Sequence, residues 1–349
     1  MVPVVAVVML AATWGSKPAA AVLVFVGAFL ALSVLAAVHH AEVVAHRVGE
    51  PFVSLVLAVA VTVIEVALIV TLMVSGGSET ATLARDTVFA AVMISCNGIV
   101  GLCLLVGALR RHVAEFNPEG AGAALATVLT LATLSLVLPR FTTSAPGPEF
   151  SGAQLAFAAV ASVALYGLFV VVQTVRHRDY FLPPGDETTA DEHAAPPSDR
   201  RALESLGLLL VALVAVVGLA KVESPAIEDA VDAIDAPQSA VGVVISLLVL
   251  APETLAALRN ARRDRVQTSF NLAFGSAMAS IGLTIPAIAV ASIWLEGPLV
   301  LGLGATQMVL LAITVVVGGL TVLPGRATLQ EGGVHLALCA AFLFLAVNP

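Results

Sequence analysis

A chain of 349 residues that is 59% hydrophobic and 11% charged, with a mean hydropathy of +1.02, lies outside the range of soluble domains. Its surroundings are expected to be a lipid bilayer. The formal net charge is −8, and no nucleic-acid partner and no cofactor is expected.

Apolar runs of roughly 18 or more residues read as membrane spans, because a helix needs about 20 residues to cross the hydrocarbon. Eleven candidates occur, at approximately 2–14, 19–38, 52–74, 86–109, 120–138, 151–175, 203–220, 238–258, 266–293, 298–318 and 332–347. The first, in MVPVVAVVMLAATWGSKP, is short but has no basic n-region and is followed at once by another span, so it reads as a helix and not a signal peptide. Cys96, Cys103 and Cys339 lie inside spans and form no CxxC pair, which suits apolar packing.

If the eleven spans alternate, twelve Arg fall on one side and four Lys or Arg on the other. This positive-inside bias puts the N-terminus in the cytoplasm and the C-terminus outside a cell (inner) membrane. The longest hydrophilic connection, from Arg176 to Arg201, is rich in Pro and acidic residues and reads as a disordered cytoplasmic linker. It splits the chain into an extra helix (1–18), a first group of five helices (19–175), the linker (176–202) and a second group of five (203–349). Five is odd, so the two groups would enter the membrane from opposite faces as inverted repeats. RDTVFAAVMISCNGIVGL and VQTSFNLAFGSAMASIGL align without gaps at Thr87/Thr268, Phe89/Phe270, Ser95/Ser276, Gly101/Gly282 and Leu102/Leu283.

The fold class is therefore an all-α membrane protein of about 11 transmembrane helices. Two carboxylates are placed deep within it: Glu65 in VTVIEVALIVTLM and Glu253 in SLLVLAPETLAAL, each in the second helix of its group. A charge at the bilayer centre costs at least about 2.5 to 3.5 kcal/mol on insertion scales, so such groups face a bundle interior or a wet cavity. A purely structural reading needs each to be protonated or paired with a base, and no Lys or Arg lies well inside a span. Two unpaired carboxylates suit a shared hard cation, and the same oxygens can hold protons in its place. Competition of that kind is a physical basis for cation/proton exchange.

Pro252 removes a helical hydrogen bond just before Glu253 and frees a carbonyl, either as a ligand or as a packing kink. Ser95, Asn97, Asn271 and Ser276 offer neutral oxygens on the matched helices. Around residues 39 to 51, His39, His40, Glu42, His46 and Glu50 read mainly as a cytoplasmic vestibule. Glu228, Asp229, Asp232 and Asp235 make an acidic cluster on the outer side, which reads as a solvated helix face or a device that concentrates cations.

The segment HAEVVAHRVGEPFVSLVLAVAVTVIEVALI, with RDTVFAAVMISCNGIVGLCLLVGALR, the acidic central loop and LLVLAPETLAALRNARRDRVQTSFNLAFGSAMASIGLTIPAIA, resembles the ChaA-type branch of the calcium/proton antiporter (CAX) family. That family is part of the cation/calcium exchanger superfamily. The resemblance implies an extra helix plus two inverted five-helix repeats, with two essential acids that bind cation and proton in turn. These map onto Glu65 and Glu253. Many members carry Gly-Asn four and three residues before each glutamate, where this chain has Val61 and Thr62, and Val249 and Leu250. Thr62 is thus a hydroxyl candidate in place of an amide. Ca²⁺ prefers six to eight oxygens, so Na⁺ and K⁺ join Ca²⁺ as transported ions. A cation channel and a Mg²⁺-dependent intramembrane lipid enzyme are the alternative classes, and a homo-oligomer is left open.

Overall fold

The computed structural model describes residues 1–16, 18–49, 53–76, 80–184, 197–233, 237–294 and 297–349, with the side chains of 53–55, 228, 231 and 232 outside the description. Eleven helices account for most of it: α1 (Val2–Thr13), α2 (Ala20–Val48), α3 (Val53–Gly76), α4 (Leu83–Arg111), α5 (Pro118–Arg140), α6 (Gly152–Arg176), α7 (Asp199–Ala233), α8 (Ser239–Arg262), α9 (Val266–Ala291), α10 (Ala305–Val322) and α11 (Leu329–Val347). All but α1 are long and apolar enough to cross a membrane. At 12 residues α1 falls short of that length; Gly218 of α7 leaves room for its Leu10.

Local chemistry sets the helix ends. Asn117 caps α5 ahead of Pro118, Ser151 and Gln154 form a capping box on α6, and Thr328 and Glu331 form one on α11. The segment HHAEVVAHRV holds no breaker, so α2 runs ten residues past its expected end at 38 and stops at Gly49, whose φ of 82° suits glycine. Likewise α7 continues through Pro225 to Ala233 rather than ending near 220, which brings Glu223 into the span. It sits against Gly27 of α2 with Oε2 buried and without a partner among the described residues, a partly buried carboxylate beyond the two expected.

The expected span 298–318 is displaced. Val300 pairs with Glu149, Gly302 N–H donates to the Pro148 carbonyl and Leu303 N–H to that of Leu136, so 300–303 are not helical and α10 starts only after Gly304. Of the linker, 185–196 lie outside the described residues. Its first part is ordered, with a 3-10 turn at Arg178–Phe181.

The connections after α4 and α10 meet in a two-stranded sheet of β1 (Ala114–Glu115) and β2 (Arg326–Ala327), while those after α5 and α9 meet at Glu149 and Val300. Both contacts agree with strict alternation of the helices across the bilayer. The third helix of each five-helix group packs on the second helix of the other, α4 on α8 and α9 on α3.

Two large apolar cores result, with a small third cluster of Ile69, Ala84 and Ile288 between α3, α4 and α9. One joins α1, α2, α3, α7 and α8; the larger joins α4, α5, α6, α9, α10 and α11, and α8 contributes to both. In α4, 89% of the apolar window is buried, so its polar residues face protein and not lipid. It contains a π-helical turn at Ile94–Ile99, a distortion that often marks functional regions. The seam between α4 and α8 is tight: a side-chain carbon at Gly242 would lie 2.8 Å from the Thr87 nitrogen, and Ser246 Oγ donates to the Thr87 carbonyl at 2.7 Å.

Candidate functional site

A cavity of about 500 Å³ lies where the two cores meet, and Glu65 and Glu253 both line it. Helices α3 and α8 bring them there from opposite halves of the chain. Glu65 is 3% exposed and Glu253 8%, so neither is a surface group.

Their partners differ. Glu65 Oε1 accepts a hydrogen bond from Ser280 Oγ at 2.6 Å, and Oε2 one from Thr284 Oγ1 at 3.2 Å; both donors are on α9. Glu253 Oε2 is buried and has no partner among the described residues. The Pro252 ring before it deprives the helix of one N–H donor. No ion pair to either glutamate occurs among the described residues. An isolated charge in such surroundings is neutralised by a bound cation or by a proton.

Of the neutral donors expected from the sequence, Thr62, Asn271 and Ser276 line the cavity beside the glutamates, whereas Ser95 and Asn97 do not. Asn97 is turned toward α10 and α11. Its Nδ2 donates to Thr314 Oγ1 at 2.9 Å, and its Oδ1 lies 3.1 Å from His335 Nδ1, whose ring reaches Thr321 Oγ1 at 3.1 Å. Ser95 is buried, with its hydroxyl unpartnered among the described residues. The Asn271 amide, although it lines the cavity, is already engaged: Nδ2 donates to the Phe181 carbonyl at 2.6 Å and Oδ1 accepts from Gln267 at 2.9 Å. Side-chain oxygen in the cavity therefore comes from the carboxylates, from hydroxyls and from the Gln173 amide.

Ser280 and Thr284 were missed in the sequence, though a signal existed. Ser276, Ser280 and Thr284 fall at every fourth residue, one face of α9. Of the peripheral groups, His39, Glu42 and His46 belong to the exposed end of α2, where His46 Nδ1 bonds the Glu42 carbonyl. Glu50, Asp235 and the side chains of Glu228 and Asp232 are outside the described residues. Among the described residues no group of three or more His, Cys, Asp or Glu forms a resident metal site.

Comparison with known proteins agrees with this architecture. The sodium/calcium exchanger protein family matches residues 18–175 and 204–348. The protein y4hA of Sinorhizobium fredii is 47% identical over 317 residues, 91% of this chain and 86% of its own. The sodium-potassium/proton antiporter ChaA of Escherichia coli is 34% identical over 347 residues, 98% of this chain and 93% of its own. Among solved structures, native YfkE superposes with a TM-score of 0.74 at 15% identity, covering 99% of this chain and 97% of that one. The H⁺/Ca²⁺ exchanger CAX gives 0.69 at 16% identity, covering 99% and 90%. At these identities the two structures speak for the fold, and the sequence matches for the family: the chain is a multi-pass membrane protein of the sodium/calcium exchanger family, a secondary transporter and not an enzyme.

Proposed function

We propose that the protein is a cation/proton antiporter of the cytoplasmic membrane, exporting a cation as protons return through the same site. The observation that carries this reading is the pair Glu65 and Glu253, buried in one cavity with no basic partner among the described residues. A carboxyl oxygen that accepts either a metal ion or a proton makes the two compete. Alternating access then turns competition into exchange.

The donor set favours Na⁺ and K⁺ over Ca²⁺. Ca²⁺ takes six to eight oxygens, yet Val61, Val249 and Leu250 bring none from their side chains, and the Asn97 and Asn271 amides are engaged elsewhere. ChaA, the Escherichia coli relative, carries sodium and potassium in its name, whereas the more distant relative from Aphanothece halophytica, 24% identical over 283 residues, is named a Ca²⁺/H⁺ antiporter. The cavity is lined on the linker side by Arg178, Phe181, Leu182 and Pro183. With the tight α4/α8 seam elsewhere, this is how an inward-open state would look.

Ser280→Ala leaves Glu65 with one hydroxyl donor. Cation binding weakens by about tenfold, the worth of one hydrogen bond to a charged group, read as the half-saturating concentration (K0.5). The exchange itself is tested in vesicles with an acid interior, a pH dye and Na⁺, K⁺ or Ca²⁺ added in turn. At least one cation discharges the gradient; discharge by none refutes antiport, and discharge that merely follows the membrane potential indicates a channel.

A further inference from the structure

The cavity mouth carries a positive charge, a surprising residue on a path for cations. Arg178 is exposed and is the only basic side chain among the described residues that line the cavity. No carboxylate among the described residues pairs with it.

Its position is built and not incidental. The turn Arg178–Phe181 follows α6 and is clamped to the larger core by a relay. The Asn117 N–H donates to Gln267 Oε1 at 2.7 Å, Gln267 Nε2 to Asn271 Oδ1 at 2.9 Å, and Asn271 Nδ2 to the Phe181 carbonyl at 2.6 Å. Phe181 is buried edge-on against Phe169, with ring centroids 5.5 Å apart. At Gly120 even one added carbon would collide with the Tyr180 carbonyl, so the helix surface is cut away where the turn rests.

We propose that Arg178 is a valence filter: a guanidinium carried at the mouth by an anchored turn, which raises the energy of any cation in the cavity, and of a divalent ion twice as much as of a monovalent one. The proposal rests on the antiport reading for its purpose, though not for its physics. Coulomb energy is linear in the ion's charge, and low-dielectric walls focus the field at the mouth of a cleft. Whatever factor Arg178 imposes on Na⁺ or K⁺ affinity, it imposes the square of that factor on Ca²⁺. The filter thus works in the same direction as the donor set. It also gives Asn271 a different occupation from ion binding, since its amide holds the turn that carries the filter.

The test is equilibrium binding of radiolabelled Na⁺ and Ca²⁺ to the purified full-length protein at low ionic strength, for wild type, Arg178→Lys, Arg178→Gln and Arg178→Glu. Arg178→Gln is expected to tighten Na⁺ binding about twofold and Ca²⁺ binding about fourfold, and Arg178→Glu about fourfold and about sixteenfold, with Arg178→Lys close to wild type. Added salt of a bulky cation shrinks every shift. Equal shifts for the two ions, or none in Arg178→Glu, overturn the filter. If the wild type binds cations without exchanging them for protons, antiport fails while the filter stands or falls on these ratios; if it binds neither ion, both fail.

Discussion

Replacing either Glu65 or Glu253 with glutamine abolishes cation-driven proton movement while the protein stays folded and membrane-inserted. Glutamine keeps the shape of glutamate, and at Glu65 it keeps an oxygen for the Ser280 hydroxyl, while the Thr284 hydroxyl can turn to accept from the new amide. Folding is therefore spared. What goes is the charge, and with it the ability to trade a metal ion for a proton. Loss of an outer-shell partner already costs a metal site roughly 10- to 100-fold, so loss of a primary carboxylate costs more. Gel filtration of the solubilised variants checks the fold, and the vesicle assay checks exchange. Retained exchange in either variant places the chemistry elsewhere.

The second large effect is on pH dependence. Protons and cation occupy the same carboxyl oxygens, so the half-saturating cation concentration rises as pH falls. The sign is fixed by competition: at alkaline pH the carboxylates stand free and K0.5 reaches a low plateau, and on acidification a proton must leave before the cation enters. Each displaced proton contributes up to about tenfold per pH unit, and two together up to about a hundredfold. A K0.5 independent of pH, in a protein that still transports, means that the two ions use separate sites. By linkage the effect is reciprocal, so bound cation must expel protons to the same extent that protons expel cation.

The sequence made the helices and the two glutamates legible because each depends on a strong energetic preference. Apolar runs of span length have few alternatives to a membrane helix, and a carboxylate within one needs an interior to face. Helix ends were harder to read. Residues 300–303 are apolar and hydropathy cannot distinguish them from a span, but their backbone bonds the end of α5 and the connection between α5 and α6. At the ends of α2 and α7 polar residues leave the hydrocarbon without leaving the helix, since only Gly49 ends α2.

Side-chain direction lay further out of reach. Asn97 offers the same amide whether it faces the cavity or not; His335, Thr314 and Thr321, more than 200 residues away in the chain for the first two contacts, decide that it does not. Asn271 similarly binds Phe181 across 90 residues. Ser280 and Thr284 are the contrary case. Their spacing from Ser276 was visible, but that they meet Glu65 follows from α9 packing on α3.

The claim that one pair of carboxylates serves both ions is tested most directly by proton release from the purified protein in weakly buffered detergent solution. On addition of Na⁺, K⁺ or Ca²⁺ at near-neutral pH, the account predicts prompt acidification by the ion that binds, saturating with its concentration, and none when Glu65 and Glu253 are both glutamine. Cation binding without proton release, or release that persists in the double variant, would contradict it.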